Sequence, residues 1–418
     1  MDDLAQELID EILEFLHDDL PSLLSTSLVA RKWVFTPRRH VFASIAVYHC
    51  FLGHRHGAGF VDNAHRFLDI CRSPHCSILP SIREVAVNIN TDFSPDGPVL
   101  GLLQDVIKTL GRAPIQKLVF LDHGASLFAE PVSLASMASH FPHLREFAYN
   151  ALERVSDEIY ALLSALPDLH VLSIYTNYKD SPTVPITRIP LPAGSFTQLH
   201  TLRLRLYPTQ SEELRSWLHT ASLRLESLHL TIFHCYHNGW GPISALSALL
   251  LGATAAHLRD LAIHVKYEDS DHRVADQIRL DKLSDGDLDF SALTNLRTLH
   301  LTTHNVNAVC QALSTLPPST LRAFRYDFSH WIYYDDVPCR CSPAEVHQFV
   351  GVMNAQSLFD SLERFDLGVP VYFGDAGIAR LRDHFGRWKD DGRMRIERSE
   401  DEFEVDTWAS VNKERFGG

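Results

Sequence analysis

The sequence has no excess of positive charge. Its 38 lysines and arginines face 52 aspartates and glutamates, so the net charge is −14 over 418 residues. Phosphate backbones are bound by basic surfaces, so nucleic acid is not expected as the main partner, although a local basic patch is allowed. There is no apolar run long enough for a bilayer. The most apolar stretch, Ile243 to Ala256, falls short of the roughly 20 residues that a membrane-spanning helix needs. Features of a secretory signal are also missing. Asp2 and Asp3 stand where a basic region belongs, and Glu7, Asp10 and Glu11 interrupt the apolar residues that follow. Cysteine is scarce. The seven, at positions 50, 71, 76, 235, 310, 339 and 341, are odd in number and scattered. A reduced interior setting, cytoplasmic or nuclear, is expected rather than a disulfide framework.

Motifs that carry chemistry are absent as well. Gly53 to Gly59 is rich in glycine and histidine but lacks the order of a phosphate-binding loop, and it is expected to loop. No nucleophile elbow, zinc-protease helix or dinucleotide fingerprint occurs. Cys71 and Cys76 with His75, and Cys339 and Cys341 with His347, do not fit the two close pairs of a structural zinc site. The carboxylates Asp335 and Asp336 are neighbours on a loop and are expected to be solvated. The expectation is therefore a binding protein with no catalytic, cofactor or metal site.

A three-point apolar pattern runs through most of the chain. Leu199, Leu202 and Leu204 read L-x-x-L-x-L, and the pattern returns at Leu225/Leu228/Leu230, Leu258/Leu261/Ile263 and Leu296/Leu299/Leu301. It also occurs at Leu144/Phe147/Tyr149 and Leu169/Leu172/Ile174. Weaker copies are Ile82/Val85/Val87, Ile115/Leu118/Phe120, Leu321/Phe324/Tyr326 and Leu362/Phe365/Leu367. Spacings between copies run from 25 to 41 residues. On a short strand the second and third positions share a face, and the first enters from the bend before it. One such strand cannot bury its apolar side alone, so the copies must stack.

Between copies, helical stripes appear. Val99, Leu102, Leu103, Val106, Ile107 and Leu110 form one, and Ile159, Leu162, Leu163 and Leu166 another. Further stripes are Leu214/Trp217/Leu218, then Val306/Val309/Cys310/Leu313, then Val346/Phe349/Val350/Met353. The last follows a capping box at Ser342 to Glu345. A short helix is expected from Val61 to Cys71, ended by Pro74, and a last strand from Met394 to Glu397. Three long connections, 177–194, 268–289 and 327–341, have little periodicity. Alternating strand and helix predicts a parallel sheet backed by helices.

These copies resemble the leucine-rich repeat family over roughly residues 80–400. The first 47 residues differ. Leu8, Ile12 and Leu16 form one helical stripe with Ile9 and Leu13 beside it, and Pro21 opens a second helix carrying Leu23, Leu24, Leu28 and Val29. Arg31, Lys32 and Trp33 lead to Arg38, Arg39 and Phe42. In this order the segment resembles an F-box, with Ala5 where the family usually has proline. The resemblance implies docking on a Skp1-like adaptor that joins a cullin scaffold and ubiquitin-transfer machinery. Carried over by position, Leu4, Leu8, Ile12, Leu16, Leu23, Leu24 and Leu28 are the candidates for adaptor contact or module core.

The implied fold class is α/β. A small N-terminal all-α F-box module (1–47) and a connecting helix or cap (48–80) precede a curved leucine-rich-repeat solenoid (81–400). Its parallel sheet lines the concave face, helices lie outside, and an acidic tail (401–418) caps the end. The implied role is substrate recognition for a Skp1–cullin–F-box ubiquitin ligase; the alternative is a stand-alone repeat scaffold. The strand positions flanking the third apolar residue face away from the core. In the middle repeats they gather Arg203, Arg205, His229, His264, His300 and Arg325 against Asp327. One sign of charge on such a face attracts the other, so an acidic or phosphorylated target segment is expected. The arginines must carry the effect at neutral pH, because histidine charges mainly below about 6.5.

Overall fold

The computed structural model describes residues 5–16, 19–29, 33–48, 57–74, 76–89, 98–122, 138–151, 162–166, 168–176, 196–206, 223–234, 254–267, 289–303, 306–317, 321–327, 343–355, 360–370, 375–385, 388 and 390–399. The chain divides into two compact units, Met1–Leu199 with Thr220–Ser222, and His200–His219 with Leu223–Gly418. The first unit opens with helices α1 (Gln6–Glu14), α2 (Leu20–Thr26) and α3 (Phe35–Val41). It continues with β1 (Ser44–Tyr48), α4 (Gly57–Arg72), β2 (Glu84–Ile89), α5 (Pro98–Leu110), β3 (Lys117–Asp122), β4 (Glu146–Ala151) and β5 (Val171–Thr176). The second unit holds β6 (Thr201–Leu206), β7 (Ser227–His234), β8 (Asp260–Tyr267), β9 (Thr298–Thr302) and α6 (Val306–Thr315). It ends with β10 (Ala323–Asp327), α7 (Pro343–Ala355), β11 (Arg364–Pro370), α8 (Asp375–His384) and β12 (Met394–Ser399).

The protein is α/β. Within each unit the strands pair in parallel and in chain order, β1 to β5 and β6 to β12. Parallel neighbours need a crossover, and α4, α5, α6, α7 and α8 supply crossovers. The apolar triplets stack in register. Val85, Leu118, Phe147 and Leu172 align in the first unit. Leu202, Leu228, Leu261, Leu299, Phe324 and Phe365 align in the second. Every position of the ten triplets is between 0 and 3 % exposed, so all of them are core. Each such burial contributes about 1.5–3 kcal/mol.

A backbone ladder explains why the first triplet residue sits three positions before the second. The carbonyl of the residue after the first apolar position accepts two N–H groups from the next copy. Arg83 O receives Gln116 N at 2.7 Å and Lys117 N at 3.0 Å. The same fork recurs from Gln116 O to Arg145 N and Glu146 N, and from Glu226 O to Arg259 N and Asp260 N. Arg259, Arg297 and Arg322 carbonyls repeat it in the copies that follow. The turn therefore satisfies its own polar groups while the first apolar residue points inward. The side chains left outside form cross-copy ion pairs, such as Lys117 Nζ with Glu84 Oε1 at 2.9 Å and Arg322 Nη1 with Glu363 Oε1 at 2.9 Å.

Two differences from the sequence reading concern the first unit. The triplet pattern runs one copy earlier, because Phe42, Ile45 and Val47 have the same spacing. Ile45 and Val47 pair with Val85 and Val87, so residues 44–48 form the strand β1 rather than the end of an all-helical segment. The helix expected from Val61 begins at Gly57, inside the stretch expected to loop. Its glycines fall in the first turn, where backbone N–H groups have no helical partner in any case. Ala64, Leu68 and Cys71 hold the helix down as buried residues. β12 appears where expected and extends to Ser399. The stripe at Leu214 to Leu218, the connection 177–194, most of 268–289 and 327–341, and the tail 401–418 lie outside the described residues. Among the described residues no helix is long and apolar enough to cross a membrane.

Candidate functional site

The first candidate is a helix face. α1 has apolar residues on more than one side, and its contacts with α3 choose between them. Thr36 Oγ1 donates to the Asp10 carboxylate, and His40 Nε2 lies 3.1 Å from Glu14 Oε2. This rotation buries Ile9 and Leu13, each 1 % exposed. It leaves Leu8, Ile12 and Phe15 outside at 48, 53 and 88 % exposure, along the i, i+4, i+7 stripe. The expected stripe of Leu8, Ile12 and Leu16 is thereby divided, since Leu16 is half-buried. In α2, Asp19 caps the helix by accepting from Ser22 N at 3.1 Å, and Leu23 faces inward at 1 % exposure. Leu24 stays outside, as do Leu28 and Val29 just after the helix. Leu4 lies outside the described residues.

Six of the seven exposed large apolar residues among the described residues fall between Leu8 and Val29. Single exposed leucines are ordinary, but a local concentration marks an interaction surface. Phe15 and Val29 belong to it and were missed from the sequence. Phe15 could have been found by continuing the Leu8/Ile12 stripe one turn further.

The second candidate is the strand face opposite the triplets in β6 to β12. Register places its side chains in two rows. One runs Arg203, His229, Ala262, His300, Arg325, Asp366 and Arg395, and the other Arg205, Thr231, His264, Thr302, Asp327, Gly368 and Glu397. The six basic candidates share this face but not one environment. His264 is 4 % exposed, its Nδ1 lies 2.8 Å from Thr302 Oγ1, and its ring meets His300 edge-on with centroids 4.7 Å apart. His300 Nε2 donates to Asp327 Oδ2 at 2.6 Å. Arg325 Nε donates to both Asp327 oxygens at 3.0 and 3.1 Å, and its Nη1 lies 3.5 Å from Glu397 Oε2. Arg364 Nε pairs with Asp366 Oδ2 at 2.5 Å.

Asp327 is 1 % exposed. Burial alone would raise its pKa, but hydrogen bonds and charge from His300 and Arg325 outweigh burial and hold it below the usual carboxylate value. Gly368, beside it on β11, leaves room for that carboxylate. Asp366 and Glu397 thus join Asp327 against the basic residues, which the sequence reading set against Asp327 alone. At the β6–β7 end Arg203, Arg205 and His229 are partly exposed. Burial holds the His229 pKa below its ordinary value, and the Arg203 guanidinium pushes the same way.

Among the described residues, Cys71 and Cys310 are buried thiols held in the protonated form. Burial, with the Cys76 thiol beside it, pushes the Cys71 thiol up to about 12, and burial pushes Cys310 up to about 11. Both thiols stay protonated at neutral pH, and the thiol form is unreactive. In native protein treated with iodoacetamide at about pH 8, both should remain unmodified by peptide mass mapping and react fully after unfolding in guanidinium. Rapid native alkylation of either would contradict this. His347 stands beside His384, with ring centroids 4.7 Å apart. His75, Cys339 and Cys341 lie outside the described residues. Among the described residues no three histidine, cysteine or carboxylate groups stand where they could hold a metal ion. No protein-family model matches this chain, and no curated protein matches it.

Proposed function

We propose that this chain is the substrate-recognition subunit of a Skp1–cullin–F-box ubiquitin ligase. Helices α1 to α3 are read as the F-box. They dock a Skp1-like adaptor through Leu8, Ile12, Phe15, Leu24, Leu28 and Val29, and through the adaptor a cullin scaffold. The stacked strands are read as a leucine-rich-repeat solenoid whose strand face receives the target. The observation that carries this reading is the concentration of exposed apolar side chains between Leu8 and Val29. Covering that area with a partner removes it from water, at about 25 cal/mol per Å² of apolar surface. The in-register triplets support the repeat half of the reading. Target selection needs only proximity and orientation from this chain, with bond-making on other subunits.

Co-expression with a Skp1 homologue tests the proposal. The expected result is a stable one-to-one complex through size-exclusion chromatography. If the chain elutes alone while still capturing a target through its strand face, it is a stand-alone scaffold instead.

A further inference from the structure

We infer that Cys71 and Cys76 form a redox-active dithiol, a modification site that a low-molecular-weight disulfide, glutathione disulfide, closes into a bridge. Their spacing is wrong for zinc, but a bridge between two sulfurs asks only that the thiols meet. Cys71 lies in the last turn of α4. Beyond Arg72 the chain turns back twice, with Ser73 N donating to Ile70 O at 3.2 Å and Cys76 N to Ser73 O at 3.0 Å. These turns return Cys76 to the helix end, where its thiol is hydrogen-bonded to that of Cys71. The segment is also held from outside. Arg38 Nη1 of α3 donates to Ser77 Oγ at 2.8 Å, and Ser81 N closes a turn on Ile78 O at 2.8 Å. A bridge therefore fastens the end of α4 to the stretch that carries the α3 contact and leads into Ile82, the first residue of the β2 triplet. The inference does not depend on the adaptor reading.

The two thiols differ in access. Cys71 is 2 % exposed, whereas Cys76 is half-buried, so an oxidant in solution meets Cys76 first. The Cys76 thiolate attacks one sulfur of glutathione disulfide. A Cys76–glutathione bond forms, the glutathione S–S bond breaks, and one glutathione leaves as a thiolate that takes up the proton Cys76 lost. Cys71 then attacks the Cys76 sulfur of this mixed disulfide. The internal bridge forms, and the second glutathione leaves with the Cys71 proton. Two protein thiols are oxidised and one glutathione disulfide is reduced to two thiols. Burial chiefly, and the Cys76 thiol next, hold the Cys71 pKa up. The second cause ends once Cys76 is capped, and the Arg112 guanidinium already pulls the other way. Contact between the two sulfurs offsets the scarcity of Cys71 thiolate, because the closing step is intramolecular.

The test uses the reduced full-length chain, incubated with glutathione disulfide, quenched in acid, unfolded, alkylated and mapped by mass. Trypsin cuts after Arg72, so a bridge appears as two peptides joined by sulfur. The wild type should give the joined peptides with little glutathione left on Cys76, and excess reduced glutathione should reopen the bridge. Cys71→Ala should stop at one glutathione on Cys76. In Cys76→Ser, Cys71 should take up glutathione at least about tenfold more slowly than Cys76 does in Cys71→Ala. Cys310, buried with no described thiol beside it, should stay free throughout. Cys76→Ser changes a half-buried position and carries the test against wild-type Cys76 if Cys71→Ala does not fold. Glutathione-capped Cys76 persisting in the wild type overturns the proposal, as do two free thiols after prolonged oxidation. Joined peptides that resist excess reduced glutathione also overturn it, since the bridge would then be structural.

Discussion

Replacing Ile12 by aspartate is expected to reduce affinity for the proposed Skp1-like adaptor at least about a hundredfold, roughly 3 kcal/mol, because a charge would be buried without a partner in the proposed contact. The folded chain should tolerate the change. Ile12 is 53 % exposed on α1, and no core contact is lost with it. The thermal unfolding curve should therefore superimpose on that of the wild type. Ile9→Asp is the contrasting case. Ile9 is 1 % exposed, so the same charge placed three residues earlier should unfold the α1–α3 cluster itself. The pair distinguishes a docking face from a core face on one helix. Wild-type adaptor binding by a folded Ile12→Asp protein, measured by titration calorimetry, would remove the exposed stripe from the adaptor site.

The largest stability effect is expected at Gly368. A Cβ at this position would lie 1.7 Å from Asp327 Oδ1 and 2.7 Å from its Cγ. A flexible surface carboxylate could swing away cheaply. Asp327 cannot, because its oxygens are held by His300 and Arg325. Gly368→Ala must therefore break those bonds or shift β11, with a loss of about 3–5 kcal/mol typical of a broken buried ion pair. Urea unfolding should show a midpoint well below that of the wild type. An unchanged midpoint would mean that Asp327 has room that the geometry denies it.

The same carboxylate gives the protein an acid limb. The folded-state pKa of Asp327 is depressed, so its stabilising contribution is present above the unfolded value of about 3.9 and is lost as pH falls through the folded value. The stability gap between wild type and Asp327→Asn should accordingly be wide near neutral pH and narrow in acid.

Much of the fold is legible in the sequence because its rule is local. Residues at i, i+3 and i+5 must turn and then alternate, and one strand obeys this without knowing its neighbours. For that reason the ten triplets can be read, and a closer reading would have found Phe42, Ile45 and Val47 as another. The helical crossovers are legible for the same reason, since stripes such as Val306, Val309 and Leu313 need only their own period.

What the local rule cannot supply is the choice between equivalent sides and the partners of distant charges. α1 and the turn that ends it have apolar residues at 8, 9, 12, 13, 15 and 16, which spread over more than one face of the helix. Only docking on α3, through Asp10 with Thr36 and Glu14 with His40, selects Ile9 and Leu13 as core and leaves Leu8, Ile12 and Phe15 outside. The strand face shows the same limit. Composition gathers six basic residues there, yet their effect depends on Asp327, Asp366 and Glu397, which arrive on separate strands. Strand register brings Asp327 to His300 and Glu397 to Arg325, while Arg325 reaches Asp327 along its own strand, so the basic residues at this end of the face are paired. A charge acts over a few ångströms, and those distances exist only after the strands have paired.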